Sequence, residues 1–209
     1  MKYTKLKGLL DVLFAFVLLI IISPVLIVLS LLNLIFMGSP ILFSQKRPGR
    51  KKRIFKLYKF RTMINKEYKN GKKLTDRERL TTLGFIMRRF SIDELPQLIN
   101  ICKGEMSFIG PRPLLERYIP YYSERENLRF EVNPGISGLA QVRGRNNLSW
   151  DKRLEYDSCY VEKLSFKLDL KIFLETLVKI IKKENVAIDP NEVMDDLDVE
   201  RDKKVQTSR

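Results

Sequence analysis

The sequence predicts an α+β protein, mostly helical with a short β-hairpin, whose N-terminus enters a membrane as a re-entrant helix-break-helix. Three observations carry that prediction. The run Val12 to Met37 contains no charged residue. Two apolar stretches, Ile41 to Gln45 and Ile54 to Met63, flank KRPGRKK, whose Pro48-Gly49 pair is a turn signal. Most of the apolar residues after Arg79 recur at helical spacing. Residues 1–37 are thus expected to form the membrane hairpin and 38–188 one cytoplasmic domain with interfacial helices. That is a monotopic arrangement. Residues 189–209 are mostly charged and lack an apolar face, so disorder is expected there.

As one helix, Val12 to Met37 would be about 39 Å long at ~1.5 Å per residue, more than the roughly 30 Å core of a bilayer. A tilted spanning helix is one reading. Ser23-Pro24 and the basic flanks give the other. Proline deletes a backbone hydrogen bond and clashes with the preceding turn, so a bend is expected, and the Ser23 hydroxyl can take a carbonyl that the proline frees. Lys2, Lys5 and Lys7 precede the run, and Lys46, Arg47, Arg50, Lys51, Lys52 and Arg53 follow it. Basic flanks belong in the cytoplasm. A single crossing cannot put both ends there, whereas a re-entrant helix can. No small-residue cleavage site follows the run, so a cleaved signal is not expected.

In IFKLYKFRTM the strand period puts Phe55, Leu57, Lys59 and Arg61 on one face and Lys56, Tyr58 and Phe60 on the other. Asn65 to Arg79 is polar, with a loop at Asn70-Gly71. Arg79 to Phe90 reads as a helix that brings Arg88 and Arg89 up to an acidic stretch, and Leu95 to Lys103 as another that ends at Gly104. Glu131 to Arg145, EVNPGISGLAQVRGR, is a Gly- and Pro-rich loop of the kind that lets backbone N–H groups approach phosphate. It has no nucleotide-fold spacing. Trp150 to Lys163 and Lys167 to Lys183 read as helices. In the second, Leu170, Phe173, Leu174, Leu177, Val178 and Ile181 form an apolar stripe, expected to pack in the core, with membrane-surface contact as the alternative.

Composition narrows the chemistry. The 209 residues include no histidine, which excludes a Ser-His-Asp triad, a Cys-His pair and any His-ligated zinc. Acid, base or nucleophile duty falls on carboxylates, Lys, Tyr, Ser or Cys. Cys102 and Cys159 have neither zinc nor disulfide-framework spacing and read as two buried free thiols of a cytoplasmic domain. A formal net charge of +14 calls for an anionic partner: phospholipid, a phosphorylated substrate or nucleic acid.

The chemical centre is expected in SIDELPQLINICKGEMSFIGPRP, Ser91 to Pro113. Ser91 and Glu94 have capping-box spacing, which would place Asp93 at the positive end of a helix dipole, where anions such as phosphate are also favoured. Pro96 disfavours a helical Leu95. On that alternative the helix starts at Pro96 and the acidic pair lies on the turn before it. An acidic pair can also be a simple helix cap. Arg112 follows in a loop punctuated by Gly and Pro.

The motifs FSQKRPG, FKLYKFRTM, SIDELPQLINICKGEMSFIGPRP, PGISGLAQVRGRN and LDLKIF, in that order behind a bent hydrophobic segment, resemble the bacterial sugar transferase family of monotopic phosphoglycosyl transferases. The resemblance covers roughly Lys2 to Lys183. The type it most resembles comprises small members that move a phospho-sugar, such as N,N'-diacetylbacillosamine phosphate, from a UDP-sugar to undecaprenyl phosphate. Larger members carry additional membrane helices ahead of this core, which this sequence is expected to lack. The resemblance implies that Asp93 is a covalent nucleophile and that Glu94 helps hold Mg²⁺. It implies phosphate-binding roles for Lys59, Arg88, Arg112 and Arg145, and supporting roles for Glu105 and Asp169, which would orient these cations or serve as structural salt-bridge partners. It further implies the cytoplasmic face of the bacterial inner membrane, contact with phospholipid, downstream glycosyltransferases as partners, and no nucleic acid. The rival reading is a membrane-anchored basic module that binds anionic lipid or nucleic acid without catalysis.

Overall fold

The computed structural model describes residues 2–66, 68–69, 71–144, 147–182 and 196–207. One long helix, α1 (Lys2–Met37), leads into a mostly helical domain. A hairpin of β1 (Leu42–Pro48) and β2 (Ile54–Phe60) comes first, then a two-residue hairpin, β3 (Tyr68–Lys69) and β4 (Lys72–Lys73). Next come α2 (Asp76–Arg79), α3 (Thr82–Arg89) and α4 (Gln97–Cys102). A parallel pair, β5 (Ser107–Ile109) and β6 (Gly135–Ser137), precedes α5 (Leu139–Arg143), α6 (Trp150–Glu162), α7 (Phe166–Lys182) and α8 (Leu197–Thr207).

Helical structure in α1 is unbroken, so the interruption expected at Ser23-Pro24 does not occur. The reason is local. Pro24 has no N–H for the Ile20 carbonyl, and the Ser23 hydroxyl donates to that carbonyl instead, at 2.8 Å. Most of the apolar surface of α1 is exposed, yet residues on both sides of the proline touch the domain. Ala15, Leu19 and Ile22 pack with Phe55, Leu57, Leu98, Ile101 and Met106. Beyond the proline, buried Asn33 donates to the Arg61 carbonyl at 2.7 Å. Arg61 in turn donates to the carbonyls of Met37, Gly38 and Ser39, placing a cation where the helix leaves carbonyls unpaired.

The β1–β2 register pairs Leu42 with Phe60 and Pro48 with Ile54 around the expected turn. Phe55, Leu57 and Arg61 are buried as the strand alternation predicts, and Phe60, on the opposite face, is buried as well. The helix expected over Arg79 to Phe90 is α3, and a short helix, α2, precedes it in the stretch read as polar. Thr75 and Glu78 form a capping box on α2, and the Thr81 hydroxyl then caps α3 by accepting from Gly84 N at 2.9 Å. A second cluster (Ile109, Val132, Val142, Tyr160, Ile172) ties β5 to α5, α6 and α7.

Two expectations fail at the C-terminal end. The α7 stripe does not enter the core: Leu170, Phe173, Leu174, Leu177, Val178 and Ile181 are exposed, while Asp169 and Ile172 are buried. Residues 189–195 and 208–209 lie outside the described residues, but Leu197–Thr207 form the helix α8. Fully buried Leu197 joins Leu114, Tyr118, Trp150 and Leu154, and Arg201 pairs with Glu126 at 2.6 Å and Asp151 at 2.9 Å. The helix has one apolar anchor and many charges, a pattern that composition alone reads as disorder.

Candidate active site

A cleft of about 660 Å³ lies between the β1–β2 hairpin, the turn before α4, and the walls supplied by β6, α5, α6 and α7. Asp93, Glu94, Lys59, Arg88 and Arg112 all line it. The acidic pair occupies a three-residue 3-10 turn, Ile92–Glu94. The capping box expected at Ser91 is absent. Ser91 adopts left-handed angles (φ 55°, ψ 22°) with no side-chain cap bond, and α4 starts after Pro96. The proline therefore decides this boundary, and the dyad sits on the turn ahead of the helix.

Close backbone approach brings Arg112 to the dyad. In the parallel pair Ser107 stands opposite Gly135 and Ile109 opposite Ser137. At the crossing a Cβ on Gly135 would lie 2.1 Å from Gly110 N, and one on Gly138 would lie 2.2 Å from Gly110 O. Any side chain there would separate the GPRP and PGISG loops. The Arg129–Asp157 ion pair (3.2 Å) is buried beneath, and Arg129 also donates to the Arg112 carbonyl at 2.5 Å. Burial pushes the Asp157 carboxyl up to about 6 although Arg129 and Arg153 oppose the rise.

The two dyad carboxylates differ. Glu94 Oε1 accepts from Lys59 Nζ at 2.6 Å and from Arg112 Nη2 at 2.7 Å. Burial works against the Glu94 charge, but these two cations outweigh it and hold the carboxyl well below the usual range. Glu94 in turn raises the Arg112 guanidinium above its ordinary value. Asp93 is buried, and no donor reaches its carboxylate among the described residues. Burial, reinforced by the Glu94 charge, pushes the Asp93 carboxyl up, while Lys59, Arg88 and Arg112 pull against the rise. Arg88 is fixed at the rim, its Nε donating to Thr62 Oγ1 at 3.0 Å.

Two expected helpers lie elsewhere. Glu105 accepts from Asn100 at 2.7 Å and lines a separate basic hollow. Asn100, donating to the Lys56 carbonyl and accepting from Tyr58 N, fastens β2 to α4. Asp169 orients none of the cleft cations. It accepts from Tyr160 and Tyr3, each at 2.7 Å, and pairs with Lys7 at 3.0 Å, clamping the start of α1 to α6 and α7. Arg145 lies outside the described residues.

Sequence reasoning missed Arg47, Arg153 and the Arg129–Asp157 pair. By sequence Arg47 is only part of a basic flank, and the i,i+4 spacing of Arg153 and Asp157 is the signal for their shared helix face.

Two adjacent carboxylates offer hard oxygen ligands of the kind Mg²⁺ takes alongside substrate phosphates. Glu94 has one oxygen committed to Lys59 and Arg112 and a second that can face a metal, so the donor chemistry fits. No group of three or more His, Cys, Asp or Glu that could hold a metal without substrate occurs among the described residues. The arrangement can present one unbonded carboxylate to an electrophilic phosphorus while guanidinium and ammonium groups stabilise phosphoryl oxygens.

The sequence profile described as bacterial sugar transferase matches residues 2–183. An uncharacterized sugar transferase, EpsL, of Bacillus subtilis is 46% identical over 87% of this chain and 90% of its own length. The exopolysaccharide production protein ExoY of Rhizobium meliloti is 35% identical over 80% of this chain and 81% of its own. An undecaprenyl-phosphate galactose phosphotransferase of Salmonella typhimurium is 32% identical over 86% of this chain, which spans 41% of that longer protein. Residues 2–183 hold the whole described cleft, so the profile and the geometry agree: the chain belongs to the bacterial sugar transferase family.

Proposed function

We propose that this enzyme transfers a phospho-sugar from a UDP-sugar to undecaprenyl phosphate and releases UMP, as the first membrane step of a glycan assembly pathway. The observation that carries the reading is the buried Asp93, unbonded among the described residues, beside a Glu94 already held by Lys59 and Arg112. Relatives named for transfer to undecaprenyl phosphate support the acceptor. Those whose names state a sugar state galactose or N-acetylgalactosamine.

An Asp93 oxygen attacks the sugar-proximal phosphorus, the bond from that phosphorus to the bridging oxygen breaks, and UMP leaves with the electron pair. A phosphate oxygen of the polyprenyl acceptor then attacks the same phosphorus and frees the Asp93 carboxylate. Splitting the transfer spares the site from holding two bulky anions at once. Mg²⁺ held by Glu94 would supply charge neutralisation of the diphosphate. Lys59, Arg88 and Arg112 orient the phosphoryl oxygens. Arg145 is assigned the same role from its family motif.

A monotopic placement on the cytoplasmic face of the bacterial inner membrane goes with this chemistry. Contacts from both sides of Pro24 to one domain and the exposed α7 stripe support it. The experiment is exchange of labelled UMP into the UDP-sugar by purified enzyme without acceptor, together with double-reciprocal kinetics. Exchange and parallel lines are expected. No exchange with intersecting lines means a ternary complex, and Asp93 is then a base or metal ligand.

A further inference from the structure

At one end of the cleft lies a guanidinium to which the reaction above assigns nothing. Arg47, near the end of β1, lines the same cavity as the dyad. Its Nη2 donates to a neutral partner, Gln45 Oε1, at 2.7 Å, and its Nε is buried without a partner among the described residues. Its electrostatic neighbours are Arg112, Tyr118 and Tyr122, with no carboxylate among them. Burial, then the like charge of Arg112, lower its ordinary value to about 10. Arg153 lines the same end, its guanidinium 4.4 Å from the Trp150 ring centroid. Arg112, the like charge beside Arg47, has already committed one of its nitrogens to Glu94. A buried guanidinium whose electrostatic neighbours include no carboxylate is unfavourable unless an anion completes the site.

The chemistry of the donor says which anion fits. Its two phosphates share one bridging oxygen. The phosphorus that Asp93 attacks must lie at the dyad, the second phosphate follows across the bridging oxygen, and Arg47 lines the same cavity next to the charge of Arg112. Thr176 and Ile180 of α7 also line the cavity beside exposed apolar residues, a side that suits a lipid-tethered acceptor phosphate. The electrostatic neighbours of Arg47 instead include Tyr118 and Tyr122, members of the core cluster that also holds Trp150 and Leu197.

We propose that Arg47 is a further substrate-binding residue: it grips the phosphate of the departing nucleotide, the one that Asp93 does not attack. The assignment rests on the phospho-sugar reading above. As the bond to the bridging oxygen breaks, that oxygen keeps the electron pair and negative charge grows on the UMP phosphate. The Arg47 N–H groups donate to it, and no proton has to move.

The test uses full-length enzyme in detergent or nanodiscs, with Arg47→Gln and the charge-keeping Arg47→Lys checked for a parental melting temperature. Calorimetric titration with UMP is expected to weaken about tenfold or more in Arg47→Gln and less in Arg47→Lys. Exchange of UMP into the donor without acceptor should fall by a similar factor. Enzyme preloaded with labelled phospho-sugar and freed of nucleotide should react with undecaprenyl phosphate at the parental rate, because the nucleotide has already gone. Unchanged UMP affinity overturns the proposal, as does a slowed second step with intact exchange, which would assign Arg47 to the acceptor. If the parent enzyme forms no labelled intermediate, the two-step reading fails on its own, and UMP affinity still decides the role of Arg47.

Discussion

Two carboxylate clusters in this protein have almost the same ingredients and opposite uses. At the start of α1, Asp169 receives Tyr3, Tyr160 and Lys7, and the neighbouring Asp11 receives Lys7 and Ser107. In the cleft, Glu94 receives Lys59 and Arg112, while Asp93 receives no hydrogen bond among the described residues. Both clusters are buried and charged. They differ in whether lone pairs are left over. Asp169, both of whose oxygens are engaged, joins elements of the fold, whereas a carboxylate held buried and unbonded at the wall of a cavity is available to a substrate atom.

The largest effect that should follow from this difference is on turnover. Asp93→Asn cannot form an acyl phosphate and is expected to lose about a thousandfold or more in UMP release, on the order of 4 kcal/mol of barrier. Its stability should move the other way. The folded Asp93 carboxyl is raised, so its ionised form destabilises the protein at neutral pH, and that penalty disappears below the unfolded value near ~4. Asp93→Asn should therefore melt higher than the parent at pH 7, with the gain shrinking toward pH ~4. An unchanged or lower melting temperature at pH 7 would contradict the origin assigned to the shift.

Next in size is the clamp. Asp169→Ala strands Lys7 and two tyrosines, and should cost about 3 kcal/mol in denaturant unfolding with little change in kcat for the protein that remains folded. Loss of kcat without loss of stability would move Asp169 into the catalytic group. Leu197→Ala removes a fully buried side chain from the α8 anchor and should cost about 2–3 kcal/mol. No loss of stability would mean that α8 is not docked in solution.

Glu94→Gln tests the pair that holds the dyad. Its folded pKa is depressed, so Glu94 contributes stability above its ordinary value of about 4.3, and that contribution is lost as pH falls through the lower folded value. The partly exposed Arg112 reduces the effect to about 1–2 kcal/mol at pH 7. Activity should fall less than in Asp93→Asn, with a higher Mg²⁺ requirement. Equal residual rates in the two variants would remove the division of roles. Glu105→Gln, whose amide oxygen can still accept from Asn100, should change stability by about 0.5 kcal/mol or less and leave UMP release unaltered.

Much was legible because it is written in contiguous residues. Strand alternation placed Phe55, Leu57 and Lys59 correctly, Pro48-Gly49 placed the hairpin turn, and the shared motif order brought Lys59, Arg88, Asp93, Glu94 and Arg112 to one cleft. Spacing alone left two readings of the dyad turn, and the proline reading is the one that holds. The sequence also anticipated the hydroxyl that replaces the missing hydrogen-bond donor at Pro24. The errors were of a different kind. An amphipathic stripe says that a face needs a partner but not whether protein supplies it, so the α7 stripe was assigned to the core and is exposed. Likewise a charged tail hides one well-placed leucine until its pocket is known.

By itself the sequence determined local geometry and residue chemistry: no histidine, one acidic pair on a proline-limited turn, an apolar N-terminal helix and a cationic surface. Only the tertiary structure decided which acid is saturated and which is left open. Of the two roles open to Asp169, orienting cations or structural salt-bridge partner, the structure realises the second, while Arg47, read as part of a basic flank, lines the cleft. The reason is physical. A carboxylate or guanidinium takes its role from the partners and the burial it meets in space, and those come from residues more than a hundred positions away, as Tyr3 does for Asp169.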